Sequence, residues 1–271
     1  MAALDLQAFY QRPMEAILAD PALPEAHAAL LQALERGAAR AAQRDEQGVW
    51  RANLWVKTAI LAGFRATPTA QVPGWPSPMF DRTAFPPRDF SLAEGVRMVP
   101  GGSSVRRGAF LAPGVVIMPP AYVNVGAFVD EGTMVDSHAL VGSCAQIGRR
   151  VHLSAAAQVG GVLEPAGAVP VVVEDDAFVG GLCGLFEGVI VRKRAVLAPG
   201  VLLTASTRIY DLVNGRELTR EVPEGAVVVP GARPASGAFA QARGLSLAAP
   251  CIVKYRDGST DAATTLEEAL R

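Results

Sequence analysis

Cysteine is sparse. Only Cys144, Cys183 and Cys251 occur in 271 residues, far apart and with no CxxC pair. That excludes a disulfide framework and fits buried thiols in a reducing compartment. Charge is also scarce. Asp, Glu, Lys and Arg make up 19%, against a usual ~25%. With 25 basic and 26 acidic residues the net charge is −1, so the chain lacks the surplus of a general nucleic-acid binder. No stretch approaches the ~18 apolar residues of a membrane span. The opening MAALDLQAFYQRPMEA carries charges and no apolar h-region, so no secretory signal is expected. These absences predict a cytoplasmic protein with neither a nucleic-acid nor a membrane partner. No P-loop, GxGxxG or GxSxG stands in its proper context.

What is abundant is apolar residue, glycine and proline. The apolar fraction of 50% excludes a disordered chain. A chain of this length buries a large core without disulfides or metal, as one large domain or two modest ones. The 27 glycines and 20 prolines exceed the average share.

Two unlike parts follow one another. In residues 4–65, LDLQAFYQRPMEAIL, PEAHAALLQALERGAARAA and NLWVKTAILAGF carry apolar residues near i, i+3 and i+4, predicting three helices. Pro24 suits the first turn of the second, and Gly63 is read as ending the third. Residues 66–95, with Pro68, Pro73, Pro76, Pro78, Pro86 and Pro87, predict an extended linker. The helical part and linker together span residues 1–95.

From Val105 the period changes to six. Val105, Leu111, Ile117, Val123, Val129, Val135, Val141, Ile147, Leu153 and Val159 recur without a miss. Val173, Val179, Leu185, Val191, Leu197, Leu203 and Ile209 form a second run. Four residues after most of these stands a small residue. A period of six fits neither a helix nor an ordinary strand; it is the hexapeptide signature of a parallel β-helix. Each unit supplies a short strand and a turn, and three units close one coil. Coils must stack, because one alone cannot bury its apolar face. The predicted class is mainly β, a left-handed parallel β-helix over residues 96–235 behind a helical N-terminal domain. Loops are expected near 165–172 and 210–221, with Val222 and Val228 as a further pair of hexads. Residues 236–271 form a small C-terminal segment with a strand-like CIVKY and an acidic, then helical tail.

The motifs VDEGTMVDSHALVGSCAQIGRRVHLS (129–154), GGVLEP (160–165), FEGVIV (186–191) and STRIYD (206–211) resemble the tetrahydrodipicolinate N-succinyltransferase family. GVRMVPGGSSVRRGAFLAPGVVIMPPAYVNVGAFVDEGTMVD resembles that family's entry into the repeat, and GVWRANLWVKTAILAGFR the end of its N-terminal domain. The resemblance implies a homotrimer with active sites in grooves between neighbouring prisms. It implies succinyl transfer from succinyl-CoA, with no permanently bound cofactor, to the amine of L-2-amino-6-oxopimelate on the diaminopimelate route to lysine.

It also implies site residues. Arg97, in GVRMVP, matches the substrate-binding arginine, and guanidinium binds a carboxylate bidentately; the alternative is an arginine lying on the first coil. Arg106 and Arg107 could assist or be solvated corners. Asp136, in MVDSHAL, matches the catalytic aspartate that also meets the substrate amine, a general base if held within hydrogen-bond reach; the alternative is a corner carboxylate accepting backbone N–H bonds. The family's RSEVVEG reads LCGLFEG here. Its first glutamate falls on Gly184, its arginine on Leu182, and only the second glutamate survives, as Glu187. A family tryptophan is His138, and SGGVGIGG is SAAAQVGG. Three readings follow: Asp136 suffices; His138 serves as base, its pKa suiting neutral pH, with a changed acyl donor or amine; or the chain is a catalytically impaired trimer.

Other chemistries are weaker. His138 and His152 are two histidines where a zinc site of this fold wants three, so no metal is expected. His152 is read as structural. Cys144 and Cys183 fall at small-residue or corner positions, as buried thiols. Arg208 and Lys254, with Arg233 and Arg256 behind them, are candidates for the CoA phosphates. The family's GNLPSKDGKYSL is poorly kept as GARPASGAFAQARGLSL, which leaves donor preference open.

Overall fold

The computed structural model describes residues 4–72 and 77–258. The N-terminal part opens with helices Leu6–Tyr10 and Met14–Leu18. They replace the single helix expected there, because Pro13 cannot continue the first and becomes the N-cap of the second. Asp5 caps the first by accepting from the Ala8 N–H. Leu23–Glu35 carries proline in its first turn, as expected. It stops seven residues short of the expected end, where Gly37 takes φ +70°. Ala42–Arg44 is instead a strand, antiparallel to Trp50–Ala52. The last helix is Leu54–Ala66, so Gly63 lies inside it. A Cβ there would stand 2.7 Å from the His27 ring and 2.8 Å from Phe85; this glycine permits close packing rather than ending the helix. Within the expected linker, Thr69–Val72 and Met79–Arg82 pair antiparallel. Pro73 and Pro76 lie outside the described residues.

From Arg97 the chain winds into a parallel β-helix with three faces. The first face stacks Phe110–Leu111, Phe128–Val129, Gln146–Ile147, Val172–Val173, Ile190–Val191 and Glu221–Val222. The second stacks Arg97–Met98, Val116–Ile117, Met134–Val135, His152–Leu153, Phe178–Val179, Val196–Leu197 and Ala226–Val229. The third stacks Ser104–Val105, Tyr122–Val123, Leu140–Val141, Gln158–Val159, Gly184–Leu185 and Leu202–Leu203. The sixth-residue aliphatics from Val105 to Leu203 fill the interior, all buried. The small residue four positions on turns inward at each corner. Thr133 satisfies its hydroxyl there by donating to the Gly148 carbonyl and accepting from the Val151 N–H.

Most corners also place a left-handed residue three positions after the aliphatic, the corners at Pro120 and Ser206 being exceptions. Glycine fills it at Gly108, Gly114, Gly126 and Gly132; later corners place His138, Cys144, Arg150, Ala156 and Leu182 there, at φ from +51° to +68°. The expected first loop is present, and it shifts the pairing from 18 residues per coil to 26, as in His152 with Phe178. The second excursion differs from expectation. Ile209 keeps the hexad phase, yet the next first-face rung is Glu221–Val222. Residues 208–211 turn out of the stack and pair antiparallel with Arg216–Thr219. They find a parallel partner in Cys251–Tyr255, which also runs antiparallel to Ala226–Val229. The strand expected at CIVKY thus closes the top of the prism, and Val222 and Val228 take their expected rungs. The tail expected at the C-terminus lies in residues 259–271, outside the described ones.

The N-terminal part packs on the first face and the third-to-first edge. Gly37 sits against the stacked rings of Phe110 and Phe128. Arg107 pairs with Glu35 and Arg106 with Asp81, so both arginines are anchors between the two parts. Lys57, fully buried, donates to the carbonyls of Pro165 at 3.2 Å and Ala168 at 2.7 Å, pinning the inserted loop. The second-to-third edge, on the other side of the prism, carries Asp136.

Candidate active site

Asp136 follows the core residue Val135 and starts a turn of the second-to-third edge. Its N–H donates to the Leu153 carbonyl one coil up, which fixes the backbone. Its Oδ1 accepts from the Ser137 N–H at 2.7 Å, while Oδ2 has no partner among the described residues. The side chain is half-buried. One oxygen is therefore locked and the other left to meet a ligand. His138 stands two residues on in the same turn, its ring exposed. Its backbone N–H donates to the Pro120 carbonyl at 2.6 Å, and its carbonyl accepts from Gln158 Nε2 at 3.1 Å. Gln158 was not singled out in the sequence. The signal available was a polar residue at an outward strand position beside this edge. His138, Leu140, Tyr122 and Gln158 line a shallow groove of about 390 Å³.

Arg97 is exposed at the base of the second face, two rungs below Met134. At ~4.8 Å per rung it lies roughly 10 Å down the axis from the Asp136 turn. A flexible guanidinium can thus approach a substrate held at Asp136. Glu187 is not brought to this edge. It sits exposed on the third-to-first edge, across the third face, with Oε2 accepting from the Ala205 N–H at 3.2 Å. One chain by itself does not assemble Asp136 and Glu187.

Between these edges the upper coils are apolar. Leu182 is 70% exposed and Leu202 60% exposed. Phe186 lies over the bare backbones of Gly160 and Gly184. Leu182 occupies the same column as His138, two coils above it. The wall beside Asp136 is therefore hydrocarbon above and polar at the His138 groove.

Arg208 and Lys254 both lie in the sheet closing the prism top, paired with Glu217 at 3.7 Å and Asp257 at 3.3 Å. The register of Tyr210 with Cys251 leaves them near opposite ends of the strand pair, so no common cationic site forms. Arg256 donates to the Asp176 carbonyl, a structural use. His152 stacks on Phe178 at 5.0 Å. Cys144 and Cys183 are buried, and burial pushes the Cys144 thiol up to about 12, Lys57 opposing. Neither is a poised nucleophile. Among the described residues no three potential ligands cluster as a metal site, and no helix is long and apolar enough to cross a membrane.

Sequence comparisons agree with this architecture. The family described as "Tetrahydrodipicolinate N-succinyltransferase N-terminal" matches residues 7–66, and "Hexapeptide repeat of succinyl-transferase" matches 170–205. A 2,3,4,5-tetrahydropyridine-2,6-dicarboxylate N-succinyltransferase of Bradyrhizobium diazoefficiens is 47% identical over 248 residues, covering 89% of this chain and 88% of that one. One of Rhodopseudomonas palustris is 48% identical, covering 89% and 87%. A solved Campylobacter jejuni structure described as a 2,3,4,5-tetrahydropyridine-2-carboxylate N-succinyltransferase is 16% identical with a TM-score of 0.45; the match covers 83% of this chain and 62% of that one.

Proposed function

The chain belongs to the tetrahydrodipicolinate N-succinyltransferase family, and from that premise we propose that it transfers succinyl from succinyl-CoA to the amine of L-2-amino-6-oxopimelate. The observation that carries this reading is the identity of nearly half of all positions, along almost the full length, with relatives bearing that activity's name. The local chemistry supports it. The substrate amine attacks the thioester carbonyl carbon, a C–N bond forms, the C–S bond breaks, and the thiolate leaves. The free Oδ2 of Asp136 takes the amine proton and returns one to the departing thiolate. Arg97 receives a substrate carboxylate.

In this reading the protein acts as a homotrimer in the cytoplasm. The division of Asp136 and Glu187 between two edges supports it: a neighbouring prism is needed to set another edge against the Asp136 turn. Glu187 contributes to the site only across such a contact. His138 lines the groove as a polar neighbour of Asp136 rather than replacing it. Of the two phosphate candidates, each with its acidic partner, either would have to exchange that partner for the CoA phosphates.

The test is thiol release from succinyl-CoA with freshly prepared tetrahydrodipicolinate, beside acetyl-CoA and a no-amine control. Brisk, amine-dependent release with succinyl-CoA is the expected result. Background release with succinyl-CoA, or preference for acetyl-CoA, overturns the assignment.

A further inference from the structure

At the seam between the N-terminal hairpin and the first-to-second edge of the prism lies a cavity of about 240 Å³. Pockets for drug-sized ligands run ~300–1,000 Å³, so this one suits a smaller metabolite. Its charges are unequally satisfied. Glu174, buried, accepts from Trp50 Nε1 at 2.8 Å and pairs with Arg44 and Arg192. Burial opposes its charge, but these partners outweigh it and hold its carboxyl below the ordinary value. Asp130 pairs with Arg149 at 3.5 Å.

Three lining groups are left over. Arg40 stacks its guanidinium 3.6 Å from the centre of the Phe128 ring and donates Nε to the buried Gln146 Oε1 at 3.0 Å. Its two terminal nitrogens have no hydrogen bond, and no carboxylate lies in ion-pair reach, among the described residues. The Lys193 ammonium has no partner among the described residues either; its backbone N–H donates to Glu174 Oε2 and its carbonyl accepts from the Gly225 N–H. Asp175 is folded back over the bare Gly148, accepts from the Arg149 N–H at Oδ1, and lacks an ion pair. Burial opposes the Arg40 charge, and Asp130 and Asp175 favour it only from beyond ion-pair reach; with its fork open into the cavity, this guanidinium can receive a carboxylate bidentately. Asp175 on the same wall repels a simple anion and offers a partner to an ammonium.

We propose that this cavity binds a small α-amino-acid zwitterion, its carboxylate on Arg40 and Lys193 and its ammonium on Asp175. The site is separate from the Asp136 edge and does not depend on the transferase reading. It joins the Ala42–Arg44 and Trp50–Ala52 hairpin to the prism, so an occupant would tie the two parts together.

The test is calorimetric titration of the full chain with L-alanine, with propionate (the same skeleton without the ammonium) and with inorganic phosphate. Saturable alanine binding at least about tenfold tighter than propionate or phosphate is expected. Arg40→Met should abolish it, and Lys193→Ala should weaken it severalfold. Asp175→Asn should erase the preference for alanine over propionate. The last two change partly solvated side chains and keep the test open if Arg40→Met does not fold. Absence of saturable alanine binding overturns the proposal. So does equal binding of propionate, or binding untouched by both Lys193→Ala and Asp175→Asn.

Discussion

Phe186 lies across Gly184 so closely that a Cβ on residue 184 would stand 2.5 Å from the ring's Cε2 and 2.9 Å from Leu202 Cδ2. The two positions are coupled: the ring fills the space a carboxylate side chain at 184 would need. Gly184→Glu is therefore expected to overpack the third face, costing ~1–3 kcal/mol, and to lower Tm. Adding Phe186→Val should recover most of that loss. Thermal unfolding of the single and double variants checks it; an unchanged Tm for Gly184→Glu alone would refute the coupling.

Asp136 and His138 share a turn, and in the proposed reading only Asp136 acts as the base. Asp136→Asn keeps the Ser137 N–H bond through its amide oxygen while removing the base. It should lower kcat by ~10²–10⁴-fold with Tm nearly unchanged. His138→Ala should cost less than about tenfold in kcat. Initial rates for both variants decide the matter, and the reverse ranking would assign the proton transfer to His138.

Asp211 governs the closing sheet. Its buried carboxylate accepts from Asn214 Nδ2 at 2.8 Å, the Tyr255 hydroxyl at 2.8 Å and Arg216 Nε at 3.0 Å. Burial works against its charge, but these donors outweigh it and hold the pKa at about 2. A carboxyl lowered in the folded state stabilises fully above its unfolded value of ~3.9 and loses that contribution as pH falls towards 2. Asp211→Asn should thus lower stability at neutral pH and flatten the acid side of the stability profile between those values. Chemical denaturation across pH 2–5 measures it; parallel curves for the two proteins would count against the role.

The thiols should differ in reactivity. Burial raises both Cys144 and Cys183, while Cys251 is half-buried. Ellman's reagent at mildly alkaline pH should label about one thiol per native chain and about three after unfolding. Rapid native labelling of Cys144 would contradict its burial.

The prism was legible in the sequence because a hexad is a local code. Val135 and Val141 need only their own spacing to declare which side faces inward. Ile209 shows where such a code stops. It keeps the phase, but phase counts residues and not hydrogen-bond partners, and its strand pairs with Cys251–Tyr255 some forty residues on. Pro13 and Gly63 misled in opposite directions. The apolar spacing predicts one helix running through Pro13, which instead ends the first and caps the second; Gly63 reads as a terminator, yet it admits His27 and Phe85 against a helix interior. Asp136 and His138 were legible as neighbours because two residues cannot leave one turn. The separation of Glu187 was not, because the insertion before Val172 must be subtracted before its edge can be counted. Arg40 and Asp175 carry no sequence signal, since 135 residues separate them and only the docking of the hairpin joins them.

Both interruptions of the stack, between Val159 and Val172 and between Leu203 and Glu221, leave by the third-to-first edge and return to it with the rungs in register. The Glu187 turn lies between them, touched by Val169 on one side and Ala205 on the other. The opposite ridge, from Met118 through Asp136 to Gly180, has no such outgrowth. The prism is therefore lopsided in its tolerance: one ridge is furnished with added chain, while the other stays smooth enough for a second smooth surface to lie flush along it.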